Sequence, residues 1–233
     1  FTFHLRKDLK WSDGTPLTAQ DYKWTYDQVM DPDNEYPYRS QVDFIKSYEA
    51  LDDYTIQATI DEIHAPALLN IGLFITPLPS HIWEELPWDD PEKNPEINSP
   101  SVVSGPYKLV EWQRDQFTIF EANEDYWYHG APNMSRYIIE TVPDQDIAFQ
   151  KLRSGDVDSS SMTPEQLEEA RTLDHVTVYE WWPAQTVWNY IGLNMRDGYL
   201  TSDINIRRGL AHAIDKELLV DEVWLGQAKR LCA

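Results

Sequence analysis

Forty aspartates and glutamates stand against nineteen lysines and arginines in this 233-residue chain, so carboxylate chemistry is the first to weigh. Chance pairs of acids are inevitable at that density, and a carboxylate-dependent hydrolase is the enzyme reading that they invite. One stretch, Asp31-Pro32-Asp33-Asn34-Glu35, resembles the start of a calcium loop. Such a loop needs Gly at its sixth position and a bidentate Glu at its twelfth. Tyr36 and Val42 stand there instead, and the reading fails. Asp156 and Asp158 would suit a hard cation, but a cage requires several more converging oxygens. They read as turn and strand-end acids, and no metal or other cofactor is expected. His81 has no nucleophile pattern around it, and a histidine at a helix start is structural more often than catalytic. Cys232 is the single cysteine, so no intrachain disulfide can form. No H-E-x-x-H, G-x-S-x-G, phosphate loop or cysteine cluster is present. What remains is aromatic: ten Trp and thirteen Tyr, including the pair Trp181-Trp182. Such rings fill a core or line a cleft, where a Trp face stacks on a sugar or packs against peptide side chains. That is the chemistry of non-covalent recognition rather than of catalysis.

The formal charge of −21 keeps the chain soluble and repels nucleic acid and anionic lipid, so neither is expected as a partner. At 27.3 kDa the chain can bury one large core or two smaller ones. It contains neither a signal peptide nor an apolar run long enough to cross a membrane.

The elements that must position these residues are legible in order. Phe1, Phe3 and Leu5 alternate with Thr2, His4 and Arg6, the pattern of a strand with one buried face. Asp13-Gly14 is a tight turn, and Thr18 with Asp21 caps a helix over residues 19–30, whose Tyr22, Trp24 and Val29 can face a core. Residues 47–60 read as a strand pair about Asp52-Asp53. Short helices follow Pro66 and Pro79. Residues 86–101, rich in Pro, Asn and acids, form a long loop and a boundary. Strands are expected near 107–112, 117–121 and 137–142, and a helix over 144–152 burying Ile147, Ala148 and Leu152, stopped at Ser154-Gly155. Pro164 opens another helix with Leu167 and Ala170 inward. Residues 176–194 read as a strand whose side chains are all core. A last helix begins near Asp203 with Leu210, Ala213 and Ile214 as its buried stripe and His212 core-lining.

The wording of three blocks carries a resemblance. Residues 1–21 read F-T-F-H-L-R-K-D-x-K-W-S-D-G-T-P-L-T-A-x-D; later come G-P-Y-K-L-x-E-W, N-x-D-Y-W and A-P in order, then L-R-S-G-D-V-D at 152–158. Together they resemble family 5 of the bacterial extracellular solute-binding proteins, the oligopeptide-, dipeptide- and nickel-binding receptors of ABC importers. The resemblance implies an α/β (mixed α+β) chain. Residues 1–103 would form a smaller α+β subdomain, and 104–233 part of a large periplasmic-binding-protein type II-like lobe with a mixed sheet. It also implies a receptor about twice this length, with a leader or lipid-anchored start before this block and a second, ligand-closing lobe after it; the chain is expected to be an internal piece.

Site residues come with the same resemblance. D-P-x-x-x-x-P-Y is a family pattern whose closing Tyr, here Tyr38, lies at the mouth of the ligand cleft. The segment after Asp158 lines the cleft in oligopeptide-binding members and accepts the ligand main chain. This chain carries Ser160, Ser161 and Met162 there, small hydroxyls where those members have Tyr and Asn, so the contacts would differ. The Y-x-x-x-N strand end adds Gln185, Trp188 and Tyr190. The implied function is capture of a solute outside the cytoplasmic membrane by a monomeric receptor and its delivery to the importer's membrane permease. Peptide is the family default, an oligosaccharide the alternative raised by the Trp content, and a nickel chelate the third.

Overall fold

Alternation at the start of the chain becomes strand β1 (Thr2–His4), and the capped segment after it becomes helix α1 (Ala19–Met30). The computed structural model describes residues 1–128, 132–179 and 190–229 and divides into two units, Phe1–Thr141 and Val142–Ala233. The first unit continues with β2 (Ile45–Asp52), β3 (Thr55–Ile60), α2 (Ala67–Phe74), α3 (Ser80–Trp83), β4 (Tyr107–Gln113), β5 (Phe117–Ala122) and β6 (Arg136–Glu140). Its strands make two antiparallel three-stranded sheets, ordered β1-β3-β2 and β4-β5-β6.

The turn between β1 and α1 is built as its residues require. Gly14 donates to the Trp11 carbonyl at 2.9 Å, and Trp11 donates to Thr15 at 2.8 Å. Gly14 holds φ of +91°, and a Cβ built on it would meet nothing within 4 Å. Backbone conformation alone therefore sets the cost of a side chain here. Gly14→Val with Asp13→Ala is expected to lose about 1–3 kcal/mol of stability, because a β-branched residue resists a left-handed φ. An unchanged urea midpoint for the double variant would contradict this. Burial pushes the Asp13 carboxyl up, but hydrogen bonds from the Thr15 backbone and from His81 Nε2, 2.8 Å away, outweigh it and hold the group below the usual carboxylate range. His81 thus serves as a clip from α3 to the turn.

Helix α1 lies on the first sheet. Tyr26 and Val29 meet Val42, Ile45, Tyr48, Ile56, Ala58, Ile71 and Ile75 in one core, with the Tyr26 and Tyr48 rings 4.8 Å apart. Val29 is buried as expected, whereas Tyr22 and Trp24 are only half buried. Asp21 does more than cap. Only 5% exposed, it accepts from the Thr18 backbone at 2.9 Å, Ser80 Oγ at 2.7 Å, the Ser80 backbone at 3.3 Å and Trp11 Nε1 at 3.4 Å. One carboxylate joins the first turn, α1 and the start of α3.

In the second sheet Ile119 of β5 is buried, while Val110, Trp112, Tyr137, Ile138 and Ile139 lie exposed. Its hairpin turns through Asp115 at φ 61°, a left-handed position that Asp tolerates. The Arg6 guanidinium, paired with Asp8, sits 4.7 Å over the Trp127 ring and ties the end of β1 to the segment after β5.

The second unit holds α4 (Gln145–Ser154), α5 (Pro164–Ala170) and α6 (Ile204–Ala213). Asp144 Oδ1 caps α4 by accepting from Ile147 N at 3.0 Å, and Gly155 at φ 78° ends it. The core here is Phe149, Leu152 and Ala170 with Val157, Met162, Val176 and Val178 against it. Two expected stripes are corrected. Ile147 is exposed and Phe149 takes the inward place, because the α4 face is set by α5 and not by the first apolar residue of the helix. On α6, Leu210, Ala213 and His212 are exposed and Ile214 is half buried; no described residue of the helix is buried. The stripe exists, but it is left largely exposed among the described residues. Of the expected strand at 176–194, residues 176–179 and 190–194 carry no ladder, and the part between them lies outside the described residues.

Candidate functional site

Tyr38 sits on a loop held from both sides. Asp31 and Pro32 end α1, and the loop runs to a single 3-10 turn, Arg39–Gln41. Arg39 reaches back with Nε to the Val29 carbonyl at 2.9 Å and with Nη2 to the carbonyls of Asp31, at 2.5 Å, and Asn34. These are carbonyls at and just past a helix C-terminus, where a cation is favoured. From the other side, Tyr36 donates its hydroxyl to the Phe74 carbonyl at the end of α2, at 3.1 Å, and Asn70 Nδ2 donates to the Gln41 carbonyl at 2.9 Å. One loop thereby caps two helices.

The rings around it form a continuous chain. Trp24, Trp83 and Tyr36 all pack on Trp88 at centroid distances of 5.8–6.5 Å. Tyr36 meets the Tyr38 ring at 6.0 Å, and Tyr38 lies on Phe74 at 5.4 Å. At the outer end Tyr38 is 53% exposed, a ring packed on Tyr36 and Phe74 and otherwise open to solvent. Beside it α2 exposes Leu68, Leu69 and Leu73.

Ser160, Ser161 and Met162 lie on the loop between α4 and α5 in the second unit. Ser154 Oγ donates to Asp156 Oδ2 at 2.7 Å at the loop entry, which accounts for Asp156 as a turn acid. At its exit the Thr163 backbone donates to Gln166 Oε1 at 3.0 Å, and the buried Gln166 Nε2 donates to Asp146 Oδ1 at 2.9 Å. The loop is therefore tied to both helices. Ser160 Oγ donates to the Ser161 carbonyl at 2.9 Å, and Met162 packs against the unit core. Ser161 is exposed. Tyr190 is 75% exposed; Gln185 and Trp188, with Trp181 and Trp182, lie outside the described residues.

The structure thus brings Ser160, Ser161 and Met162 onto one loop and places Tyr38 in the other unit. Sequence reasoning missed Arg39, Tyr36, Phe74 and Trp88. No local signal marks Arg39, because its partners are backbone carbonyls five to ten residues upstream. Among the described residues no group of three or more His, Cys, Asp or Glu is arranged to hold a metal ion, and no helix is long and apolar enough to cross a membrane.

Residues 1–231 match the family model of bacterial extracellular solute-binding proteins, family 5 (middle). The chain belongs to this family. Family 5 relatives include the oligopeptide-binding proteins AppA and OppA of Bacillus subtilis, each 28% identical to 97% of this chain. The chain spans 41% of AppA and 44% of OppA, less than half the length of these relatives. Its fold matches the structure of B. subtilis AppA in complex with a nonapeptide, at a TM-score of 0.81 and 28% identity over 97% of this chain and 44% of that one. Haemophilus influenzae OppA in complex with RPPGFSPFR matches at a TM-score of 0.75 and 25% identity over 95% of this chain and 46% of that one. NikZ of Campylobacter jejuni in complex with Ni(L-His) shares the fold at a TM-score of 0.75 and 23% identity, over 97% of this chain and 44% of that one. The mixed α/β architecture is that of family 5 binding proteins.

Proposed function

We propose that the chain is part of an extracytoplasmic receptor that captures peptides and hands them to the membrane permease of an ABC importer. The observation that carries this reading is the match over nearly the whole chain to AppA, whose structure holds a nonapeptide. Such a receptor needs no catalytic group. It works by the differential affinity of open and closed forms for its solute, and no step of bond cleavage enters.

In this reading residues 1–103 form the smaller subdomain and 104–233 part of the large lobe, with a further lobe closing over the ligand. Tyr38 offers a ring and a hydroxyl at the cleft mouth. The loop of Ser160, Ser161 and Met162 offers short acceptors and donors to the peptide main chain, and the rings of Trp188 and Tyr190 with the amide of Gln185 would add further contacts. Tyr38, Ser161 and Tyr190 are exposed and are proposed as direct contacts; Met162, packed on its own core, contributes its backbone. The receptor is placed on the outer face of the cytoplasmic membrane or in the periplasm, acts as a monomer, and takes any lipid anchor from outside these residues.

The test is titration of the full-length receptor with defined peptides of three to nine residues, followed by tryptophan fluorescence and calorimetry, with mass spectrometry of the recovered peptide. Saturable binding with the peptide recovered intact is expected. Cleaved peptide would favour the hydrolase reading. Binding only of oligosaccharides, or only of a nickel–histidine chelate like the ligand of NikZ, would keep the receptor and overturn the peptide.

A further inference from the structure

We infer that Arg39 is a positioning residue for ligand recognition, setting the ring of Tyr38 from behind; the inference rests on the reading that Tyr38 meets the peptide. Tyr38 directly precedes Arg39, so whatever fixes the Arg39 backbone fixes the root of the tyrosine. The guanidinium spends its fork on three carbonyls: Val29 within the last turn of α1, Asp31 just past it, and Asn34 in mid-loop. Two of those points, Asp31 and Asn34, are held again. Asn34 N donates to the Asp31 carbonyl at 3.1 Å, and Asn34 Nδ2 donates to the Gln28 carbonyl at 2.9 Å. The loop is thus folded back against α1 around one planar cation, and Tyr38 emerges from it onto Phe74.

No other described side chain donates to the carbonyls of Val29 or Asp31. Arg39 is half buried and Val29 fully so, and removing the guanidinium takes away the side-chain donor to the buried Val29 carbonyl. Lysine cannot substitute for it. A point charge with freely rotating donors does not span three carbonyls in a plane as a guanidinium does. A ring held in place before the ligand arrives loses less freedom on binding, and that preorganisation reaches the affinity. Nε and Nη2 of Arg39 are spent on these carbonyls, so in this inference it acts on the peptide through Tyr38.

Two measurements on the full-length receptor decide the matter. In the first, 3-fluorotyrosine is incorporated and the fluorine resonance of Tyr38, assigned by its loss in Tyr38→Phe, is followed without ligand. Arg39→Ala and Arg39→Lys are both expected to move this resonance to the solvent-exposed position while those of Tyr26 and Tyr48 stay. An unmoved resonance overturns the inference. In the second, the affinity for RPPGFSPFR is measured through a double-mutant cycle. Tyr38→Ala and Arg39→Lys are each expected to weaken binding about 3- to 10-fold, and Arg39→Lys is expected to add less than 2-fold on top of Tyr38→Ala. Full additivity overturns the inference while leaving Tyr38 as a contact. An unchanged affinity for Tyr38→Ala overturns the contact reading, and with it the role of Arg39 in binding. If the wild-type receptor does not take this peptide, the fluorine measurement alone decides on Arg39. Arg39→Lys keeps the positive charge at the end of α1, so the cycle remains readable should Arg39→Ala fail to fold.

Discussion

Replacing Asp21 by alanine is expected to lower stability by about 3–5 kcal/mol, as much as removing a large core side chain. Its two carboxylate oxygens serve four donors from three parts of the chain: Thr18 N, Trp11 Nε1, Ser80 N and Ser80 Oγ. In a site 5% exposed these donors would be left without acceptors, and each unmade buried bond costs about 1–3 kcal/mol. Asparagine does not repair the site. Its amide nitrogen would face donors on one side, so Asp21→Asn is expected to lose well over half as much. Urea unfolding of both variants checks this. A loss within about 1 kcal/mol for alanine, the size of an ordinary N-cap, would mean that the carboxylate caps α1 and does nothing more.

Stability is also expected to fall steeply above about pH 10, the ordinary ionisation range of tyrosine. Burial pushes the Tyr48 hydroxyl up strongly, and burial likewise raises Tyr22, Tyr26 and Tyr36. In the unfolded chain these phenols lose their protons near their ordinary value, while the folded chain retains them. Above that value the folded state binds more protons than the unfolded, so stability declines as pH rises. A fully buried tyrosine contributes a slope of about 1.4 kcal/mol per pH unit until its folded value is reached. Tyr48, only 3% exposed beside Tyr26, should approach that slope, and the less buried rings should add smaller ones. The measurement is urea unfolding at pH 9, 10 and 11, with tyrosinate absorbance recorded across each transition. Tyr48→Phe keeps the ring and removes the titration, and should flatten the alkaline limb. An identical limb in that variant would show that other groups drive it.

The aromatic chain that carries Tyr38 illustrates a limit of reading along the sequence. Trp24, Trp83, Trp88, Tyr36, Tyr38 and Phe74 come from four separate segments, and no spacing rule links them. Family wording pointed to Tyr38 but was silent on Arg39, because an arginine that binds backbone carbonyls needs no complementary residue and leaves no motif. At Ser160 and Met162 the structure turns one hydroxyl onto the neighbouring carbonyl and the thioether into the core, which the family wording does not encode.

By itself the sequence determined the local elements and the family. The Asp13-Gly14 turn, the Thr18 and Asp144 caps, the Gly155 stop and the strand alternations all act over a few residues, through φ restrictions and near-neighbour hydrogen bonds that residue type dictates. Tertiary structure decided which faces are covered. Periodicity shows that Leu210 and Ala213 share a side of α6, and that Ile147 is apolar, but not whether anything lies across from them; at these residues the expected burial failed. It also decided that Asp21, legible as a cap, is a junction for Trp11 and Ser80, since those partners meet it only when segments 10 and 59 residues away in the chain are folded against it. Burial and long-range pairing depend on what the rest of the chain brings near, and no local pattern encodes that.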